Sequence, residues 1–154
     1  MKLRLILLFV VIYGLYTISG FLFPVDRDWY DALNKPAWTP SGSTIGIIWG
    51  ILFACIALAG ALVYQKEKFS KQVQTFWAVL SFNYIVNQLF IFFQFEMKDL
   101  LLATIDCVLV ALSALLLIFL AKKHSRVASF LFVPYFLWAS FATVLSYLIY
   151  TMNN

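Results

Sequence analysis

Five long apolar runs decide what this chain can become. They cover approximately Leu3–Phe23, Ser43–Tyr64, Val73–Phe95, Leu100–Ala121 and Ala128–Thr151. Each holds roughly 20 residues, enough for one helix to cross about 30 Å of hydrocarbon. With 64% hydrophobic and 12% charged residues, the chain lacks the polar groups to cover such runs, so lipid must be its solvent. The expected fold is all-α, a single integral membrane bundle of five helices over residues 1–154. Only the first connection, 24–42, is long, and it carries three of the four prolines. The other connections are short, so consecutive helices are expected to be antiparallel neighbours.

Charge sets the expected orientation. Lys2, Arg4, Lys66, Lys68, Lys71, Lys122, Lys123 and Arg126 fall on one side, against Arg27, Lys35 and Lys98 on the other. That imbalance places the N-terminus in the cytoplasm and the long loop outside, in a cell membrane. The net charge of +4 comes from short clusters between spans, which reads as topology and not as a nucleic-acid surface. Lys2 and Arg4 before an apolar run could mimic a secretion signal. The run is longer than a usual signal core, so it reads as a span. Cys55 and Cys107 both lie inside apolar runs and read as buried thiols. With one His and no Cys/His cluster, no metal site is expected. No phosphate loop or hydrolase-type serine motif occurs.

The long loop is acidic and aromatic, with Asp26, Asp28, Trp29, Tyr30 and Asp31. Trp29 fits an interfacial anchor. In "KPAWTP", Pro36 and Pro40 fix the backbone on both sides of Trp38, which suits a rigid lid over the mouth of a bundle. The second span carries Gly46, Gly50 and Ala54 at four-residue spacing, a face that lets a helix approach closely, within the chain or in a homodimer. Trp49 and Phe53 share a neighbouring face. In the third span Asn83, Asn87 and Phe90 lie on one face. Two amides at membrane depth must point inward, either to bond other helices or to line a ligand cavity. Asp106 is the one acid well inside a span, and such a carboxylate is either functional or a helix lock. In the fifth span Tyr135, Trp138, Ala142 and Leu145 form a stripe, which is either ordinary helix packing or, with the small Ala142 beside Trp138, room for a flat group.

Taken in order, these stretches resemble the TspO/translocator-protein family, the tryptophan-rich sensory proteins related to the peripheral-type benzodiazepine receptor. "WYDALNKPAWTPS" is similar to the family's loop motif, and "IWGILF" to its second-helix Trp-Gly motif. "FNYIVNQLF" resembles the Asn-aromatic motif of the third helix. "TIDCVLV" places Asp106 at a family Asp, and "VPYFLWASFATVLSY" resembles the fifth-helix motif. The chain departs from the pattern at Ser41, where a second Pro is usual, and at Phe53, Val86 and Ser146. No basic residue follows Tyr147 or Tyr150, which argues against cholesterol as the native ligand.

The resemblance implies a five-helix bundle, often dimeric, with a pocket under the first loop that takes porphyrins and isoquinoline-carboxamide or benzodiazepine-like drugs. It implies Trp49, Phe90 and Trp138 as aromatic walls, and Asn83, Asn87 and the loop as polar contacts. Tyr30, Pro40, Phe53, Asp106, Cys107, Tyr135 and Ala142 complete the candidate lining, while Lys35, Pro36 and Trp38 hold the lid's shape. Some bacterial members are associated with light- and oxygen-dependent porphyrin breakdown. Here that reading gives Trp49 or Trp138 the role of electron relay and needs no obligatory cofactor. A small transporter of porphyrins, lipids or other apolar molecules is the alternative, with Asp106 as its titratable group.

Overall fold

The helix starts follow from local chemistry. Asp26, Ser41, Asp99 and Ser125 each turn a side-chain oxygen onto a backbone N–H of the following turn, at Trp29, Thr44, Leu102 and Ala128, over 2.9–3.2 Å. Such caps satisfy amides that no helical carbonyl can reach. Ser41, the residue that departs from the family's loop motif, therefore has a local task in this chain.

A computed structural model describes residues 2–154. Its helices are α1 (Lys2–Thr17), α2 (Ser19–Leu22), α3 (Arg27–Ala32), α4 (Gly42–Glu67), α5 (Gln74–Ile91), α6 (Leu100–Lys122) and α7 (Arg126–Met152). A 3₁₀ turn, Lys71–Val73, leads into α5, and a π-helical turn, Phe92–Glu96, ends it. Four runs are long and apolar enough to cross a membrane: Gly42–Glu67, Lys71–Glu96, Leu100–Lys122 and Arg126–Met152. The N-terminal helix makes the fifth rod of an all-helical bundle.

The first span is not the single helix expected over Leu3–Phe23. It breaks at Ile18, after Thr17 turns its hydroxyl back onto the carbonyls of Tyr13 and Gly14. Breaking a helix at membrane depth exposes backbone groups that lipid cannot satisfy. Gln88 of α5 meets both sides of the break, accepting from the Ser19 N–H at 3.0 Å and donating to the Tyr16 carbonyl at 3.1 Å.

Around the bundle the order is α1, α4, α7, α6, α5, with α5 closing back onto α1 and α2. The expectation that consecutive helices are neighbours holds for the α1/α4, α5/α6 and α6/α7 pairs. It fails for α4 and α5, because α4 packs chiefly on α1 and α7. The core is built from Tyr16, Ile56, Val63, Phe76, Leu117, Phe132 and Tyr135. Leu3, Ile6, Val10, Ile47, Ile51 and Leu112 point outward, where the surrounding lipid is as apolar as they are.

Close helix approach also sits elsewhere than expected. A Cβ at Gly46 would meet nothing within 4 Å, and one at Gly50 only the Tyr13 hydroxyl at 3.9 Å, so these positions do not seat a helix within the chain. Ala54 on the same stripe is half-buried. The tight crossing is at Gly60, where a Cβ would lie 2.8 Å from Ile12 Cδ1. That methyl ends a flexible side chain, so Gly60→Ala is expected to be mild. Gly60→Leu should push α1 off α4 at a cost of about 1–3 kcal/mol, while Gly46→Leu should leave stability unchanged. Thermal unfolding in detergent separates the two, and equal midpoints would refute this account of the crossing.

Candidate ligand site beneath the first loop

The loop from Pro24 to Ser41 is fastened at two ends. At one end Asp26 pairs with Lys98 at 2.9 Å, and the Lys98 ammonium sits 5.3 Å over the Trp29 ring. Trp29 and Tyr30 both pack on Phe95 of the π-helical turn, with ring centroids 6.2 and 6.1 Å apart. At the other end the Asn34 backbone and the Asn153 side chain exchange two hydrogen bonds of 2.9 Å. Between these anchors, Lys35 donates to the carbonyls of Tyr30 and Leu33 and lies 4.7 Å over the Tyr30 ring. Thr39 closes a turn onto the Pro36 carbonyl through both its N–H and its hydroxyl. Lys35 and Pro36 thus both bond within the loop. Trp38 is half exposed, with its ring 5.6 Å from Phe141 of α7.

Burial raises the Tyr30 phenol above its ordinary value, and the Asp31 carboxylate adds to the effect. The hydrogen bond from Lys98 holds Asp26 below the usual carboxylate range, with the Trp29 N–H contributing. A carboxyl group with a depressed folded value stabilises above its unfolded value and loses that contribution as pH falls through the folded one. The Asp26 anchor should therefore be intact at neutral pH and released only below about pH 4. Protection factors across residues 26–34, corrected for intrinsic exchange, should fall once Asp26 is protonated, and Lys98→Met should remove that step. Protection that is the same in wild type and Lys98→Met at neutral pH would contradict the anchor.

Beyond the loop's Trp38 the aromatic rings fall into two groups. Trp49 lies 5.5 Å from Phe53 and 6.1 Å from Tyr135, and Trp138 stacks on Phe141 at 4.9 Å. Phe141 therefore joins the lid's Trp38 to Trp138, a link that sequence spacing did not single out. Two buried polar atoms here have no hydrogen-bond partner, Trp138 Nε1 and Asp106 Oδ2. Buried polar groups in native structures are nearly always paired; among the described residues the third exception, Ser70 Oγ, lies before α5 at the other end of the bundle. Cys107 (6% exposed) follows Asp106 (3% exposed) on α6. Pro40, Phe90 and Ala142 are half-buried and take no part in the ring-to-ring contacts.

The two α5 amides have different surroundings. Asn83 is fully buried. Its Oδ1 accepts from the Tyr16 and Tyr135 hydroxyls at 2.8 and 2.9 Å, and its Nδ2 donates to Ser113 Oγ at 2.8 Å. One amide thereby ties α5 to α1, α6 and α7. As placed, Asn83 is a four-helix tie and not a free polar wall, because its oxygen and one of its protons are already engaged inside the chain. Asn87 makes only long contacts, of 3.3 Å to the Tyr135 hydroxyl and 3.4 Å to Gln88. It remains the α5 amide able to exchange partners. Tyr16 and Ser113, which complete the tie, carried no signal in the sequence beyond being polar groups within spans.

The chain matches the model of the TspO/MBR family over residues 5–151. It is 52% identical over 153 residues to the tryptophan-rich protein TspO of Bacillus cereus, covering 99% of both chains. It is 54% identical over 145 residues to the membrane protein YtaB of Bacillus subtilis, covering 94% of this chain and 93% of that one. Human translocator protein is 26% identical over 146 residues, covering 92% of this chain and 84% of the human one. A family match across nearly every helix, together with apolar helices that only lipid can cover, makes this chain a multi-pass integral membrane protein of the TspO/MBR family.

Proposed function

We propose that the protein is a membrane receptor for flat, largely apolar tetrapyrroles of the protoporphyrin type. Isoquinoline-carboxamide and benzodiazepine-like drugs would use the same place, beneath the first loop. The observation that carries this reading is the pair of ring groups, Trp49 with Phe53 and Tyr135, and Trp138 with Phe141, together with the unpaired Trp138 Nε1 and Asp106 Oδ2. Binding sites for small molecules combine such apolar walls with a few convergent polar groups that fix orientation. A planar macrocycle gains area burial and ring stacking from the walls. Asn87 is the amide with bonds weak enough to be exchanged for a ligand's. Because Trp38 rests on Phe141, entry requires the lid to lift. We place the N-terminus in the cytoplasm and the lid outside, on the positive-inside argument.

In the catalytic form of this reading, the bound porphyrin absorbs the light, dioxygen is the oxidant, and Trp49 or Trp138 supplies an electron. Replacing both with Phe keeps an aromatic face but raises the cost of removing an electron. Trp49→Phe/Trp138→Phe should bind protoporphyrin about as well as wild type and lose the light-dependent decay of the Soret band. Unchanged decay would end the catalytic claim and leave the binding claim standing. The unpaired Asp106 carboxyl favours transport as the second reading. Ligand flux into proteoliposomes that Asp106→Asn abolishes would establish it.

A further inference from the structure

We infer that the cleft at the lysine-rich end of the bundle, far from the lid, seats the phosphate headgroup of an acidic membrane phospholipid. The cleft has a volume of about 580 Å³ and lies between the end of α4 and the α6–α7 turn. Lys66, Lys122, Lys123 and Arg126 line it, over the apolar side chains of Leu62 and Val127.

The charge around this cleft is unbalanced. Of the seven acids in the chain, Asp26, Asp28, Asp31, Glu96 and Asp99 sit at the lid end, and Asp106 lies within α6. Glu67 is left as the one acid at this end. It faces His124 Nδ1 at 3.6 Å. Among the described residues, none of the four cleft cations has a carboxylate within salt-bridge distance. His124 also lines the cleft, so Glu67 is the one acid beside four cations; the excess positive charge repels itself, and an anion relieves that repulsion. The backbone adds donors, because among the described residues the N–H groups of Arg126 and Val127 in the first turn of α7 find no acceptor.

The apolar surface beside the cleft selects a lipid over a free anion. Phe119 lies one turn from Lys123 on α6, and Phe130 one turn from Arg126 on α7. Both are strongly exposed, at 58% and 73%. Phosphate in the cleft would leave acyl chains running over Phe119, Val127 and Phe130 toward the bilayer interior. Basic pockets between transmembrane helices bind acidic headgroups by this combination of charge and adjoining apolar surface.

Native mass spectrometry of the full-length protein in neutral detergent tests the assignment, with phosphatidylglycerol, phosphatidylcholine and inorganic phosphate as separate probes. Phosphatidylglycerol should be retained as a single adduct at least tenfold more strongly than phosphatidylcholine, and inorganic phosphate should give none. Lys122→Gln/Lys123→Gln/Arg126→Gln should lower that retention at least tenfold. Arg4→Gln/Lys68→Gln/Lys71→Gln, which removes equal charge outside the cleft, should lower it less than threefold. Equal losses in the two variants would overturn the cleft in favour of diffuse attraction. Inorganic phosphate binding as tightly as phosphatidylglycerol would overturn the lipid. Absence of headgroup preference in wild type would overturn the proposal without recourse to any variant.

Discussion

Asn83→Ala is expected to loosen the bundle at its centre. Four helices meet at this one side chain through three bonds of 2.8–2.9 Å, to Tyr16, Tyr135 and Ser113. Interhelical hydrogen bonds within membranes are worth roughly 0.6–1.7 kcal/mol each, so losing three puts the cost at about 2–5 kcal/mol. Part of that cost is the Tyr16 and Tyr135 hydroxyls losing their acceptor in an apolar interior, where an unmade bond is dearer than a made one is valuable, while Ser113 keeps its bond to the Leu109 carbonyl. Tyr16→Phe removes one donor and leaves Asn83 its other partners, so its cost should stay within a single bond's range. In a double-mutant cycle, Tyr16→Phe should cost little once Asn83 is already Ala. Unfolding midpoints in detergent measure all four corners. An Asn83→Ala loss no larger than that of Tyr16→Phe would show that the amide does not tie the helices together.

The spans were legible because their apolar length leaves a helix no alternative in lipid. What stayed hidden depends on partners far along the chain. Tyr16 and Asn83 are 67 residues apart, and nothing local to either says that they meet. The break at Ile18 is tolerated only because Gln88 arrives from α5. The glycine that seats a helix is Gly60 and not Gly46, because the ring order brings α1 across the far half of α4. Four-residue spacing marks a face that could pack closely, but only the tertiary arrangement says whether a neighbour is there. Phe141 went unread for the same reason. Its importance comes from bridging Trp38 of the loop to Trp138, and no periodicity within α7 records the loop's position.

The second large effect is expected at the two ring groups. Trp49→Ala/Trp138→Ala deletes two indole faces together with the buried Trp138 N–H. Aromatic pairing contributes roughly 0.5–1.5 kcal/mol per pair beyond area burial. Losing two such faces should therefore weaken a porphyrin by about 1–3 kcal/mol from stacking alone, which is roughly 5- to 150-fold in Kd. The Phe pair keeps both rings and should bind within a few-fold of wild type, so that size and aromaticity are separated from electron supply.

The most direct measurement is an equilibrium titration of the purified protein with protoporphyrin in the dark, followed by the Soret band. Wild type is expected to bind saturably, with one porphyrin per chain, and Trp49→Ala/Trp138→Ala at least fivefold more weakly. No saturable binding by wild type, or equal affinity in the two proteins, would contradict a tetrapyrrole site beneath the first loop.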